Sequence, residues 1–252
     1  MIYSPSDFKD HYILMSRKQG TVQSLKGDVI VVAFFVNDTV SRWTQSAIDK
    51  YKKVLWDSFS TLISEAKKNS IELKFRMADM ERTATVDCDR HNRDTWIEDV
   101  TCCDAINGVD DYQEYYRSRY PCDELAILFI FNKDLRDYSV SANRTCPTYG
   151  EFAVLSRVPD KRTIIHELLH QFGAKDYYYP AVTRQKAEKW LPDSVMNVGY
   201  KIVIDPLTRH LVGWTEFLSE SAYRFLKDTS HITYEYVMKE LSDLWKKEEE
   251  NN

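Results

Sequence analysis

Eight consecutive apolar residues, Val29 to Val36, do more than any other feature to limit what this chain can fold into. The run is rich in β-branched side chains and has Gly27 and Asp28 before it and Asn37 and Asp38 after it. An apolar stretch of this length between turn formers predicts a buried strand. A long helix is expected next, over about residues 44 to 68, with Ser41 or Thr44 as its cap. Ala47, Ile48, Tyr51, Val54, Leu55, Leu62, Ile63 and Ala66 recur there at helical spacing, and Asn69 and Ser70 stop the pattern. Ile71, Leu73 and Phe75 then alternate with Glu72, Lys74 and Arg76, as in a strand with one buried face. Strand, helix, strand begins an α/β sheet with a right-handed crossover.

Leu125 to Phe131 predicts another buried strand and Phe152 to Leu155 a short one. Between the two halves of this pattern, Glu81 to Glu124 carries twelve acidic residues against five basic ones and has little periodicity. It is expected to be a long loop, either a solvated surface or one whose charge favours cationic substrates. A helix capped by Asp160 follows, with Ile164, Ile165, Leu168, Leu169 and Phe172 on it and Gly173 just past its end. Tyr177 to Pro180 read as irregular chain. Three helical stretches come after: one opened by Asp205-Pro206, one near 216 to 227 and one near 232 to 248. The last carries Val237, Leu241, Leu244 and Trp245 on one side.

Several function classes are excluded at this level. The apolar fraction of 43% argues for a packed core and against wholesale disorder. With a net charge of -5 and no basic stripe, nucleic acid is not an expected partner. No apolar run approaches the ~18 residues of a membrane span, so no membrane partner is expected. Asp7, Lys9, Asp10 and His11 stand where a signal peptide would be apolar, and five irregularly spaced cysteines are not a disulfide framework. A cytoplasmic protein is the expectation. The alternative is a secreted one whose signal has been removed.

His166-Glu167-Leu168-Leu169-His170 carries the chemistry. Residues four apart on a helix share a face, so two imidazoles can reach one zinc ion at ~2.0–2.1 Å. Glu167 stands beside them, where a general base for a zinc-activated water is needed. The string runs on through Gln171, Phe172, Gly173, Ala174 and Lys175 to Asp176, so the whole pattern is H-E-x-x-H-x-x-G-x-x-D. Gly173 permits a sharp turn that returns Asp176 towards the metal, and a carboxylate oxygen is an acceptable third ligand.

On these residues the chain resembles the metzincin clan of zinc endopeptidases. An aspartate in place of the usual third histidine is similar to the snapalysin-like members, and Gly173 to Tyr177 is similar to the immune-inhibitor group of bacterial peptidases. Ser194-Val195-Met196-Asn197 resembles the clan's methionine turn. The resemblance implies a zinc metallopeptidase, a hydrolase acting on a protein or peptide. It implies one catalytic zinc on His166, His170 and Asp176, with Glu167 as general base. It further implies a zincin fold: a twisted mixed sheet with the long helix and the zinc helix in residues 1 to 173, a smaller helical lobe in 174 to 252, and a cleft between them. Where several metzincins have a tyrosine near the metal, two residues past the turn methionine, this chain has Val198. Tyr177, Tyr178, Tyr179 and Tyr200 all stay open as tyrosines that assist the reaction.

Competing assignments are specific. Glu188 is the alternative third ligand, as in zincins that use a glutamate on a later helix. A zinc protein that binds a partner without turnover is the alternative function. Cys88-x-x-His91, with Cys102 and Cys103 nearby, is half of a structural zinc pattern. Phe152 to Leu155, as an edge strand, would hold substrate by strand addition.

Overall fold

The computed structural model describes residues 3–15, 17, 20–89, 91–101, 108–141, 150–157 and 160–250, with the backbone alone for 110–112 and 244–250. Cys102, Cys103 and Cys146 and the side chains of Leu244 and Trp245 therefore lie outside the described residues. By its contacts the chain divides into two compact units, Lys18–Gly173 and Met1–Arg17 with Ala174–Asn252. One boundary falls after Gly173, but the N-terminal residues belong with the C-terminal unit and not with the sheet. The reason is local pairing: Tyr3 bridges Leu218, His11 bridges Thr233, and the Tyr12 N–H donates to the Ile232 carbonyl at 2.9 Å.

In chain order the elements are α1 (Tyr12–Met15), β1 (Gly27–Asn37), α2 (Gln45–Lys68), β2 (Leu73–Thr83), α3 (Arg93–Thr101), α4 (Gly108–Arg119) and β3 (Glu124–Phe131). There follow β4 (Tyr138–Val140), β5 (Phe152–Leu155), α5 (Lys161–Gln171), α6 (Ala181–Trp190), α7 (Pro206–Leu211), α8 (Glu220–Asp228) and α9 (Tyr234–Glu250). The class is α/β. One five-stranded sheet in the order β2-β1-β3-β5-β4 is parallel throughout except for β4, which runs antiparallel to β5. No helix among the described residues is long and apolar enough to cross a membrane.

The sheet's two faces have different covers. Ile30, Val32, Phe34 and Val36 of β1 join Leu125, Ile127, Phe129 and Phe131 of β3 in one apolar cluster with Trp96, Ile97 and Val100 of α3 and Val109 and Tyr116 of α4. Alternation along a strand sends the intervening residues to the other face, the side on which α2 and α5 pack together and α5 meets β4 and β5. The acidic stretch is thus not the expected loop. Its described part forms the end of β2 and two helices, and these cover the face opposite α5. Their inward stripes are short, and the acidic residues between them mask the periodicity.

In the other unit, α6 was not foreseen. Its buried side chains are only Thr183 and Ala187, too small to leave an apolar stripe in the sequence. Asp205 caps α7 as expected, accepting from the N–H groups of Leu207 and Thr208.

Candidate metal centre

Helix α5 is fixed at both ends. Asp160 accepts from the Thr163 N–H at 2.7 Å, and Ile164, Ile165, Leu168 and Leu169 are fully buried beneath it. Near the C-terminus, Gln171 Oε1 accepts from the Ile127 N–H at 3.0 Å. That amide lies one residue before β5 begins to pair with β3, so the glutamine satisfies a strand donor that the short β5 does not reach. Gly173 then takes φ +92°, with its N–H on the His170 carbonyl at 3.1 Å. This is the left-handed turn that the sequence requires of a glycine at this position.

The histidines meet as their spacing demands. Their Nε2 atoms stand 3.1 Å apart, with ring centroids at 4.6 Å and planes at 87°. Two nitrogen ligands of one tetrahedral zinc, each ~2.0–2.1 Å from it, stand about 3.4 Å apart. Asp176 lies six residues beyond His170 in the same continuous segment, so the turn at Gly173 sets its position. One ligand atom from each of His166, His170 and Asp176 lies within 4.8 Å of the others. Two imidazoles and one carboxylate are a donor set that fits a catalytic zinc with an open fourth position.

Glu167 is buried, and Ser139 on β4 holds it. The Ser139 hydroxyl lies 2.8 Å from Glu167 Oε2 and 2.7 Å from the Glu167 carbonyl. Nothing in the sequence singles out Ser139, because a three-residue strand is too short to show alternation. Tyr12, half-buried in the C-terminal unit, is far from Asp176 in sequence. Burial pushes its hydroxyl up to about 12, with the neighbouring charges of Tyr179 and then Asp176 adding to the effect.

Tyr177 is fully buried, and its hydroxyl is shared with Thr208 Oγ1 at 2.9 Å. Tyr200 is 98% exposed. Glu188 is exposed on α6 and accepts from Arg184 Nε at 3.0 Å. Met196 is buried in a turn whose carbonyl accepts from the Tyr177 N–H at 2.9 Å, the residue next to Asp176. Among the described residues Cys88 and His91 join no metal-binding group. Burial pushes the Cys88 thiol up to about 12, and the pattern's other cysteines, Cys102 and Cys103, lie outside the described residues. The strand at Phe152 to Leu155 is not an edge. It sits between β3 and β4, and β4 holds the end of the sheet.

No family model matches this sequence, and no curated protein matches it.

Proposed function

We propose that the chain is a zinc-dependent endopeptidase of metzincin type, with His166, His170 and Asp176 as metal ligands and Glu167 as general base. The observation that carries this reading is the convergence of two imidazoles and one carboxylate in the segment that also holds Glu167. When bound, zinc would supply Lewis-acid charge that lowers the pKa of water from about 15.7 towards ~7 and polarises a peptide carbonyl. The chain's own groups do the rest. The Ser139 hydroxyl on Oε2 orients the Glu167 carboxylate and leaves Oε1 to take a proton from the attacking water. The same oxygen returns that proton to the leaving amine. As the end strand of the sheet among the described residues, β4 would align an extended peptide beside Ser139 and Glu167.

The test is zinc content together with hydrolysis of casein. The native protein is expected to carry one zinc per chain and to lose hydrolysis when the metal is chelated. Asp176→Ala is expected to lose zinc and activity, and Glu188→Ala to keep both. The reverse behaviour of the two variants would move the third ligand to Glu188 and remove the metzincin assignment. Zinc in the native protein with no hydrolysis would make the chain a binding module.

A further inference from the structure

The sheet unit holds a cavity that the candidate metal centre does not use. Its volume is about 350 Å³, and Trp43, Lys50, Tyr51, Val54, Asn132 and Arg157 line it. Trp43 lies in the connection after β1, Asn132 directly follows β3, and Arg157 lies two residues beyond β5. The cavity therefore sits at the carboxyl ends of three parallel strands.

Topology says why a ligand belongs there. From β1 the chain passes to β2 on one side, then crosses to β3 on the other. The connections leaving β1 and β3 diverge at such a reversal, and in open α/β sheets the crevice they leave is where ligands bind. The walls are already set. Trp43 Nε1 donates to the Ile130 carbonyl at 3.1 Å and the Tyr51 hydroxyl to the Ser156 carbonyl at 3.1 Å. The two rings stand 5.6 Å apart at 89°. A rigid aromatic wall beside Val54 suits a flat apolar body, and the volume lies in the ~300–1,000 Å³ range of small-molecule sites.

Charge defines the rest of the ligand. Lys50 and Arg157 line the cavity and no carboxylate does. Lys50 is exposed and makes no ion pair among the described residues. Arg157 pairs with Asp134, with side chains 51% and 82% exposed. Ion pairs so exposed are worth ~0–1 kcal/mol, so an incoming anion can replace this one. We propose that this cavity binds a small organic anion, its ring body against Trp43 and its anionic head on Lys50 and Arg157.

The probes are 2-naphthoate, its neutral analogue 2-naphthalenemethanol, and inorganic phosphate, titrated into the full chain with the indole resonances followed by NMR. Native protein is expected to bind naphthoate at least about tenfold more tightly than the alcohol, with the Trp43 indole shifting most. Lys50→Met and Arg157→Met, both at exposed positions that should leave folding intact, are each expected to weaken naphthoate by about tenfold, the loss of one charge-assisted contact. Phosphate at equal concentration should not displace it, because phosphate lacks the ring. Equal binding of acid and alcohol, no binding at all, unchanged affinity in both variants, or displacement by equimolar phosphate would each overturn the proposal.

Discussion

In Lys18–Gly173 the middle of the sheet is apolar, and the buried carboxylates Asp38, Glu124, Glu151 and Glu167 lie at strand ends and on α5. All eight residues of β3 are buried, and Phe129 touches Phe34, Trp96 and Phe152 with ring centroids between 5.1 and 5.5 Å. In the unit of Met1–Arg17 and Ala174–Asn252 the centre includes a buried carboxylate. Asp205 accepts from the Ser194 hydroxyl at 2.5 Å, from the Thr208 hydroxyl, and from two backbone N–H groups at 2.8 and 3.1 Å. Ser194 in turn accepts from the Met196 N–H, and Thr208 meets the Tyr177 hydroxyl. Apolar burial is non-directional and tolerates small shifts, whereas a hydrogen-bond network fixes positions. The difference matches the work of each part. The sheet supports α5 by bulk, while the network fixes the turn at Met196 and Tyr177, and through Tyr177 the chain at Asp176.

Breaking the apolar centre should have the largest effect on stability. Phe129→Ala is expected to cost about 3–5 kcal/mol, since the cavity it leaves is walled by other rings. Urea unfolding checks this, and a loss under ~1 kcal/mol would mean the sheet core is looser than its contacts indicate. Asp205→Ala should cost somewhat less, on the order of 1–3 kcal/mol, by leaving buried donors unmatched. Its mark should be regional, with hydrogen exchange faster in α7 and α8 and little changed in β3. Faster exchange in β3 alone would remove the network from the account of the C-terminal unit.

Acid sharpens the comparison with a smaller effect. Burial raises the Glu151 carboxyl from 4.5 to about 7, so the folded sheet unit binds more protons than the unfolded chain between those values. Its stability should rise as pH falls from about 7 towards about 4.5. Burial lowers His11 from 6.5 to about 4, so His11 binds fewer protons in the folded C-terminal unit in that window and its own contribution weakens the unit as pH falls through it, opposed by the raised Asp205 carboxyl. Exchange protection at pH 7 and pH 5, corrected for intrinsic rates, should therefore move in opposite directions in β3 and α8. Glu151→Gln should flatten the first trend and His11→Gln the second. Parallel movement in both units would contradict the assignment.

What could be read from the sequence follows the range of the interactions. β1, α2, β3 and α5 declare themselves in residues next to one another: the run Val29 to Val36, the stripe from Ala47 to Ala66, the run Leu125 to Phe131, and the Asp160 cap. The candidate metal-binding pattern is equally local, because positions i and i+4 and a glycine turn fix it within eleven residues. The order β2-β1-β3-β5-β4 is set by pairing between distant segments, so nothing within Phe152 to Leu155 tells that β4 lies outside it. Helices α3 and α4 hid because acidic residues interrupt the stripe that Trp96, Ile97 and Val100 begin. Ser139 reaches Glu167 by folding alone.

The central claim is that Glu167 moves a proton and does not hold the metal. Glu167→Ala separates the two roles in one protein, because a general base acts in the chemical step and a ligand acts in binding. Zinc content and casein hydrolysis are measured on the same purified variant. The account predicts one zinc per chain, native exchange protection in α5, and hydrolysis lowered by at least about a hundredfold. Hydrolysis within a few fold of native, or a variant that folds but no longer holds zinc, would contradict it.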